Sequence, residues 1–413
     1  MISKDIIYYG LIKGINVLVW VVILKISATY LDPVSFGNFS IIFSISIYLG
    51  IILTGWQSSS ALRFYHEIEN KYEYYNVLLK TLFFPLLCFL GLGIICCLLF
   101  YFYNKEISID ILMILPLSMV FALFGLIVNV CRIKRNLKFY LMLIIIQALT
   151  LLSLVVPLIK LFGWFGLMFS FTISYFAVVF YFIINKRNQL ILLWDKIINK
   201  SLVKKMVSYG LPIVMIGVFS QLLSSMDQIL LKYFGYDFEV GIYAANYSLS
   251  EKSIFAFLAI YASAFTPILY KSINKENFNL LDQIKKGLFQ FLLIAIPIVA
   301  FLSFFSKKIS YLLLDEKYVE GHWIIPIIAI AGVFVGIASF YSEVLTVSKK
   351  TKTLAMLYGF AAIVNFIVNI IFIPNHGLQA AVIATLISYV VLAIIIYKVS
   401  NKQLKLNNVK NRH

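Results

Sequence analysis

The sequence predicts an all-α membrane protein that crosses the bilayer about twelve times. Three observations carry that reading. Hydrophobic residues make up 62% of the 413-residue chain and charged residues only 13%, a balance that no soluble globular class shows. Apolar runs of membrane-spanning length recur from one end to the other,. The Lys and Arg residues behind the net charge of +17 gather in alternate short connections, as the positive-inside rule describes. This placement assigns the charge to a membrane face and argues against nucleic acid as a partner.

In order, the expected spans are 6–30, 36–58, 77–103, 110–131, 139–160, 163–185, 206–232, 239–268, 287–306, 323–346, 353–373 and 377–397. No cleavable leader pattern precedes the first, which is expected to serve as its own insertion signal. Residues 63–80, 132–138, 186–205, 271–286, 349–352 and 398–412 hold most of the cations and are expected to face the cytoplasm, together with both termini,. The connection 186–205 mixes Leu190, Leu192, Leu193, Trp194, Ile197 and Ile198 with Lys and Asp, the pattern of an amphipathic interfacial helix,. Residues 270–286 offer a second such segment. The seventh helix is expected to start at Pro212, since a first-turn proline has no N–H to leave unpaired. Pro85, Pro157 and Pro297 fall within spans, where they kink a helix or loosen its backbone pairing,. Cys88, Cys96, Cys97 and Cys131 lie in apolar segments, read as buried thiols, and match no metal or disulfide spacing,.

The two halves of the chain resemble each other. Gly163-Trp-Phe-Gly166 with Ile173-Ser-Tyr175 aligns without a gap on Gly377-Leu-Gln-Ala380 with Ile387-Ser-Tyr389, 214 residues on. The basic turns at 135–138 and 349–352 fall in the same register. Tyr9–Leu11 matches Tyr209–Leu211. Gly37 with Phe39 matches Gly241 with Tyr243. The expected division is therefore a six-helix lobe over 1–185, a cytoplasmic linker over 186–205, a second six-helix lobe over 206–397 and a basic tail over 398–413. Parallel repeats of this kind are related by an axis along the membrane normal, with a substrate path between them.

Several stretches resemble the polysaccharide-export flippases of the multidrug/oligosaccharidyl-lipid/polysaccharide (MOP) superfamily, the Wzx-type O-antigen and repeat-unit transporters. They are Ser58–Glu67 (SSSALRFYHE), Tyr209–Pro212 (YGLP), Asp227–Leu231 (DQILL), VGIYAANYSL from Val240, ISYLLLDEKYVEG before the tenth span and GLQAAVIATLISY from Gly377. The likeness covers nearly the whole chain and rests on order and spacing. It implies a two-lobed MATE-like fold in the bacterial cytoplasmic membrane. It also implies transport of an undecaprenyl-pyrophosphate-linked sugar repeat unit for O-antigen or capsule synthesis. The partners expected with it are a coupling proton or sodium ion, membrane lipids, a polysaccharide polymerase and a chain-length regulator, with no cofactor or metal.

Ionised groups inside spans cost about 2.5–3.5 kcal/mol each on insertion scales, so each one invites a functional reading. Ser220, Gln221, Ser224, Asp227 and Gln228 share one face of the seventh span,. Asp227 is a candidate for a coupling ion, or else a structural hydrogen-bond anchor. Asn246, Glu251 and Lys252 follow on the eighth span. Adjacent on a 3.6-residue helix, Glu251 and Lys252 point about 100° apart and should face different neighbours. Lys25 either snorkels to the headgroups or lines a cavity opposite Asp227 in the repeat. Lys13 shares a face with Asn16 and Trp20. Arg63 suits bidentate contact with a pyrophosphate, or plain anchoring. Glu343 lies on a face with Ser339 and Gly336, and Gly332 with Gly336 forms a GxxxG that more often marks close packing. The candidates are thus Arg63, Lys13, Lys25, Lys252, Asn246 and Gln221 for substrate, and Asp227, Glu251 and Glu343 for the coupling ion. Lys13, Lys25 and Lys252 balance Asp227, Glu251 and Glu343, so the sequence does not describe a strongly cationic lumen. A small-molecule antiporter of the same superfamily is the alternative. An enzyme would need a large polar outer loop or a catalytic cluster, and neither is present.

Overall fold

The computed structural model describes residues 2–65, 68, 71–103, 105–194, 199–272 and 279–410. No strand occurs among them. Helix α1 spans Ile2–Tyr30, α2 Pro33–Phe64, α3 Lys71–Tyr103, α4 Lys105–Ile133, α5 Leu137–Phe162 and α6 Trp164–Trp194. Then follow α7 (Lys200–Tyr233), α8 (Asp237–Ser250), a π-helical turn (Glu251–Phe255), α9 (Ala256–Ser272) and α10 (Leu280–Leu313). A 3₁₀ segment (Glu316–Trp323) leads into α11 (Ile324–Val347), and α12 (Thr351–Lys410) closes the chain. Among the described residues, ten helices are long and apolar enough to cross a membrane. The expected eighth span corresponds to α8, the π turn and α9 in series. The expected eleventh and twelfth correspond to α12, which breaks at Gly377 (φ 46°, ψ −126°). The protein is a multi-pass, all-α membrane protein.

Residues 186–194 prolong α6 and residues 200–205 open α7. Residues 195–198 and the side chains of the amphipathic pattern at 190–198 lie outside the described residues, as do residues 273–278, His66, Glu67 and the last side chains of the basic tail. Pro212 does not begin α7: it sits inside the helix, twelve positions after Lys200. The true start is set by Asn199, whose Oδ1 accepts from the backbone N–H of Ser201 at 3.0 Å and Leu202 at 3.1 Å, an ordinary N-cap,. Cys131 is buried, but Cys88 and Cys96 are exposed on α3. The expectation of four buried thiols fails because an apolar helix turns an outward face to lipid as well as an inward one.

The chain separates into two compact units, Met1–Asn16 with Phe39–Val218, and Val17–Asn38 with Phe219–His413. In the first, Ile12, Leu143, Ile144 and Val178 form one core, and Tyr74, Val77 and Met206 another. There α2 and α7 approach closely: Ser60 Oγ donates to the Met206 carbonyl at 2.6 Å. A Cβ on Gly210 would stand 2.4 Å from the Trp56 carbonyl oxygen. Glu73 accepts from Asn199 Nδ2 at 2.6 Å. In the turn after α4, burial pulls the Lys134 ammonium below its ordinary pKa, and the nearby Lys186 charge adds to the shift,.

The second unit gathers the α1–α2 corner onto the 3₁₀ segment. Tyr318 is buried and donates from its phenol to the Leu31 carbonyl at 3.0 Å. Its ring meets Phe36 edge-on at 5.9 Å. Lys232 donates to Asn38. Gly241 of α8 lies directly on Pro33, where a Cβ would be 1.8 Å from the carbonyl oxygen. Gly332 and Gly336 admit Ile254, Phe255 and Phe291, so this GxxxG serves packing.

The repeat is visible in the backbone. Arg135 (φ 52°) and Lys349 (φ 55°) are the only non-glycine residues with positive φ among those described, and they lie 214 residues apart. Each ends a helix with the same pair of bonds, Arg135 N–H to the Arg132 carbonyl with Asn136 N–H to Cys131, and Lys349 N–H to Thr346 with Lys350 N–H to Leu345. This is the Schellman arrangement, which needs a left-handed residue at its corner. Gly163 (φ 58°) and Gly377 (φ 46°) repeat in the same way.

Candidate functional site

Two polar clusters stand out in the second unit. Asp227 is completely buried at the middle of the first. Its Oδ2 accepts from the Tyr243 phenol at 2.7 Å and from Thr385 Oγ1. Its Oδ1 accepts from Asn365 Nδ2 at 3.1 Å and from Asn369 Nδ2. Four donors from α8 and from both arms of α12 thus converge on one carboxylate of α7. That is the number of lone-pair sites a carboxylate offers. Asn369 Oδ1 is buried beside it with no partner among the described residues.

The second cluster lies on the π turn. Glu251 and Lys252 are bonded to each other at 2.9 Å, with side chains 38% and 27% exposed. The Lys252 ammonium sits 4.8 Å from the centre of the Trp20 ring, a cation–π distance. The expectation that these neighbours face different ways assumed α geometry. A π turn has more residues per turn, which narrows the angle between adjacent side chains, and both chains are long enough to close the rest.

The other candidates are placed as follows. Asn246 is fully buried; its Nδ2 donates to the Tyr318 carbonyl at 2.9 Å and the Ile242 carbonyl at 3.0 Å, and its Oδ1 accepts from Ser310 at 3.0 Å. Its amide is occupied in tying helices together, which is not the setting of a cavity group. Lys25 donates to the carbonyl of Leu314 at the C-cap of α10. The sequence offered headgroups or a cavity; the ammonium goes instead to the negative end of a helix. Lys25→Met is therefore expected to destabilise the protein by about 1–2 kcal/mol while Lys25→Arg does not, as read by thermal unfolding in detergent. Gln221 is half-buried and its backbone carbonyl accepts from Ser224 and Ser225. Glu343 is half-buried; Oε1 accepts from Thr266 at 3.0 Å, and Oε2 has no partner among the described residues. Lys13 is half-buried and Arg63 exposed in the first unit. No group of three His, Cys, Asp or Glu side chains that would hold a metal occurs among the described residues.

Sequence comparison decides the family. The profile described as polysaccharide biosynthesis protein matches residues 2–272, more than half of the chain. The chain belongs to the polysaccharide biosynthesis protein family. A second profile, MatE, matches residues 212–371. Among solved structures, this polysaccharide biosynthesis protein resembles the lipid II flippase MurJ in an inward closed conformation, with a TM-score of 0.72, 16% identity and coverage of 97% and 89% of the two chains. It also resembles an inward-facing multidrug resistance MATE transporter of the MOP superfamily, with a TM-score of 0.64, 16% identity and coverage of 97% and 94%. A MOP superfamily transporter from Pyrococcus furiosus, described by a binding pocket of reverse polarity, gives 0.60, 14%, and 97% and 96%. An uncharacterized membrane protein of Methanocaldococcus jannaschii is 23% identical over 198 residues, 48% of this chain; the match spans 39% of that relative's length. The polysaccharide biosynthesis protein has the MATE-like fold.

The four partners of Asp227 were not among the sequence candidates. Asn365 and Asn369 stand four apart within an apolar span and so share one helix face,. That pairing is the signal that would have found them.

Proposed function

We propose that this protein flips an undecaprenyl-pyrophosphate-linked oligosaccharide repeat unit across the bacterial cytoplasmic membrane by alternating access. The product would serve O-antigen or capsule synthesis, with a polysaccharide polymerase and a chain-length regulator downstream. Both termini would lie in the cytoplasm. The observation that carries this reading is the family profile over residues 2–272. The half-exposed Glu251–Lys252 pair supports it by supplying polar groups within a span. A coupling proton or sodium ion is assigned to Asp227. Four donors fill the carboxylate in this structure, so the ion would enter as Asn365 or Asn369 turns away, and Asn369 Oδ1, which has no partner among the described residues, favours the site as a second acceptor. Arg63 and Lys13 are assigned to the anionic head group.

The second reading, a cation-coupled small-molecule antiporter, is favoured by the MatE match over residues 212–371. One deletion strain separates the two. Under the flippase reading the lipid-linked repeat unit stays on the inner leaflet, surface polysaccharide is lost, and a plasmid copy restores it. Normal surface polysaccharide with raised drug sensitivity would overturn the flippase reading in favour of the antiporter.

A further inference from the structure

Trp20, Glu251 and Lys252 make a small platform of mixed chemistry. The indole comes from α1 and the ion pair from the π turn. Lys252 touches both other members, at 2.9 Å to Glu251 and 4.8 Å to the ring centre. The pair is only partly covered, so its remaining hydrogen-bonding capacity is available to a visitor. Its charges cancel. A phosphate approaching Lys252 would also approach the Glu251 carboxylate, and like charges at that range repel. An uncharged hydroxyl meets no such conflict: it accepts from the ammonium and donates to the carboxylate. An indole beside such a pair adds a flat apolar surface on which the C–H face of a ring can lie. π turns recur at functional sites, and this one aims Lys252 at Trp20.

We infer that Trp20, Glu251 and Lys252 form a subsite for an uncharged pyranose ring of the head group, separate from whatever holds the pyrophosphate. This rests on the flippase reading and adds to it the part of the substrate that these three residues contact.

The test uses the full-length protein in lipid nanodiscs and two probes. One is a polyprenyl pyrophosphate carrying a single N-acetylhexosamine; the other is the same lipid without sugar. The wild type is expected to bind the sugar-bearing lipid roughly tenfold more tightly, a difference of about 1.4 kcal/mol. Trp20→Ala should abolish that gain and leave the affinity for the bare lipid unchanged. Trp20→Phe, which keeps a ring, should retain part of the gain. The subsite is overturned if the gain is equal in all three proteins, or if bare-lipid affinity falls in step in both variants. If the wild type binds neither lipid, the flippase reading itself fails and the subsite falls with it.

Discussion

Asp227→Ala is expected to unfold the second unit at a markedly lower temperature. The carboxylate accepts from Tyr243, Thr385, Asn365 and Asn369 in a fully buried setting. Its removal leaves the Asn365 amide without this acceptor and one N–H of Asn369 unpaired, while Thr385 falls back on the Ala381 carbonyl and Tyr243 on Thr385. Each buried donor left unpaired costs about 1–3 kcal/mol, and two amide N–H groups are left so, beside the cavity that the lost carboxyl leaves, so the loss runs to about 2–6 kcal/mol. Asp227→Asn keeps the shape but turns an N–H₂ toward two of the donors, so roughly half of the loss is expected. Thermal unfolding of the detergent-solubilised protein measures both. A wild-type melting curve for the alanine variant would show that the cage does not hold α7, α8 and α12 together.

Gly241→Val should be at least as damaging, for a steric reason. A Cβ at this position would lie 1.8 Å from the Pro33 carbonyl oxygen and 2.7 Å from its Cα. These are backbone atoms, which cannot swing away as a side chain does. The first turn of α2 would have to lift off α8 and take with it the contact between Gly37 and Gly241. Overpacking typically costs about 1–3 kcal/mol and more where backbone must move, so even Gly241→Ala is expected at the upper end of that range. Gly125→Ala is the control. Nothing lies within 4 Å of its added Cβ, and a helical glycine replaced by alanine gains about 0.5–1 kcal/mol. The comparison is read as the yield of monodisperse protein after extraction and as melting temperature.

Much of this architecture is legible in the chain because lipid makes it so. Backbone polar groups in hydrocarbon must pair within their own segment, and length and apolarity then locate the helices. The repeat was legible at Arg135 and Lys349, where a shared basic turn proved to be a shared left-handed corner. Gly37 and Gly241 were legible as a matched pair, although not as partners that meet. The fine polar geometry was not legible. Hydropathy places Asp227 in a span but is silent on which helix supplies its donors, since Asn365, Asn369 and Thr385 lie more than a hundred residues away. Lys25 was misjudged for a related reason: its acceptor is a helix terminus 289 residues on. Glu251 and Lys252 were misjudged locally, because nothing in a single sequence marks the place where a helix widens.

That widening absorbs a residue without disturbing what lies on either side. A π turn holds about one residue more than an α turn while covering nearly the same angle and rise, so the faces of α8 and α9 keep their phase across Glu251–Phe255,. Thr266 meets Glu343 beyond it. Deleting a single codon within the turn would let it close to α geometry and leave Thr266 opposite its carboxylate. A deletion within α8 has no such slack: it would rotate that helix against its own contacts by about 100°. The turn is therefore the one place in the segment from Asp237 to Ser272 where the chain can gain or lose a residue and keep its setting.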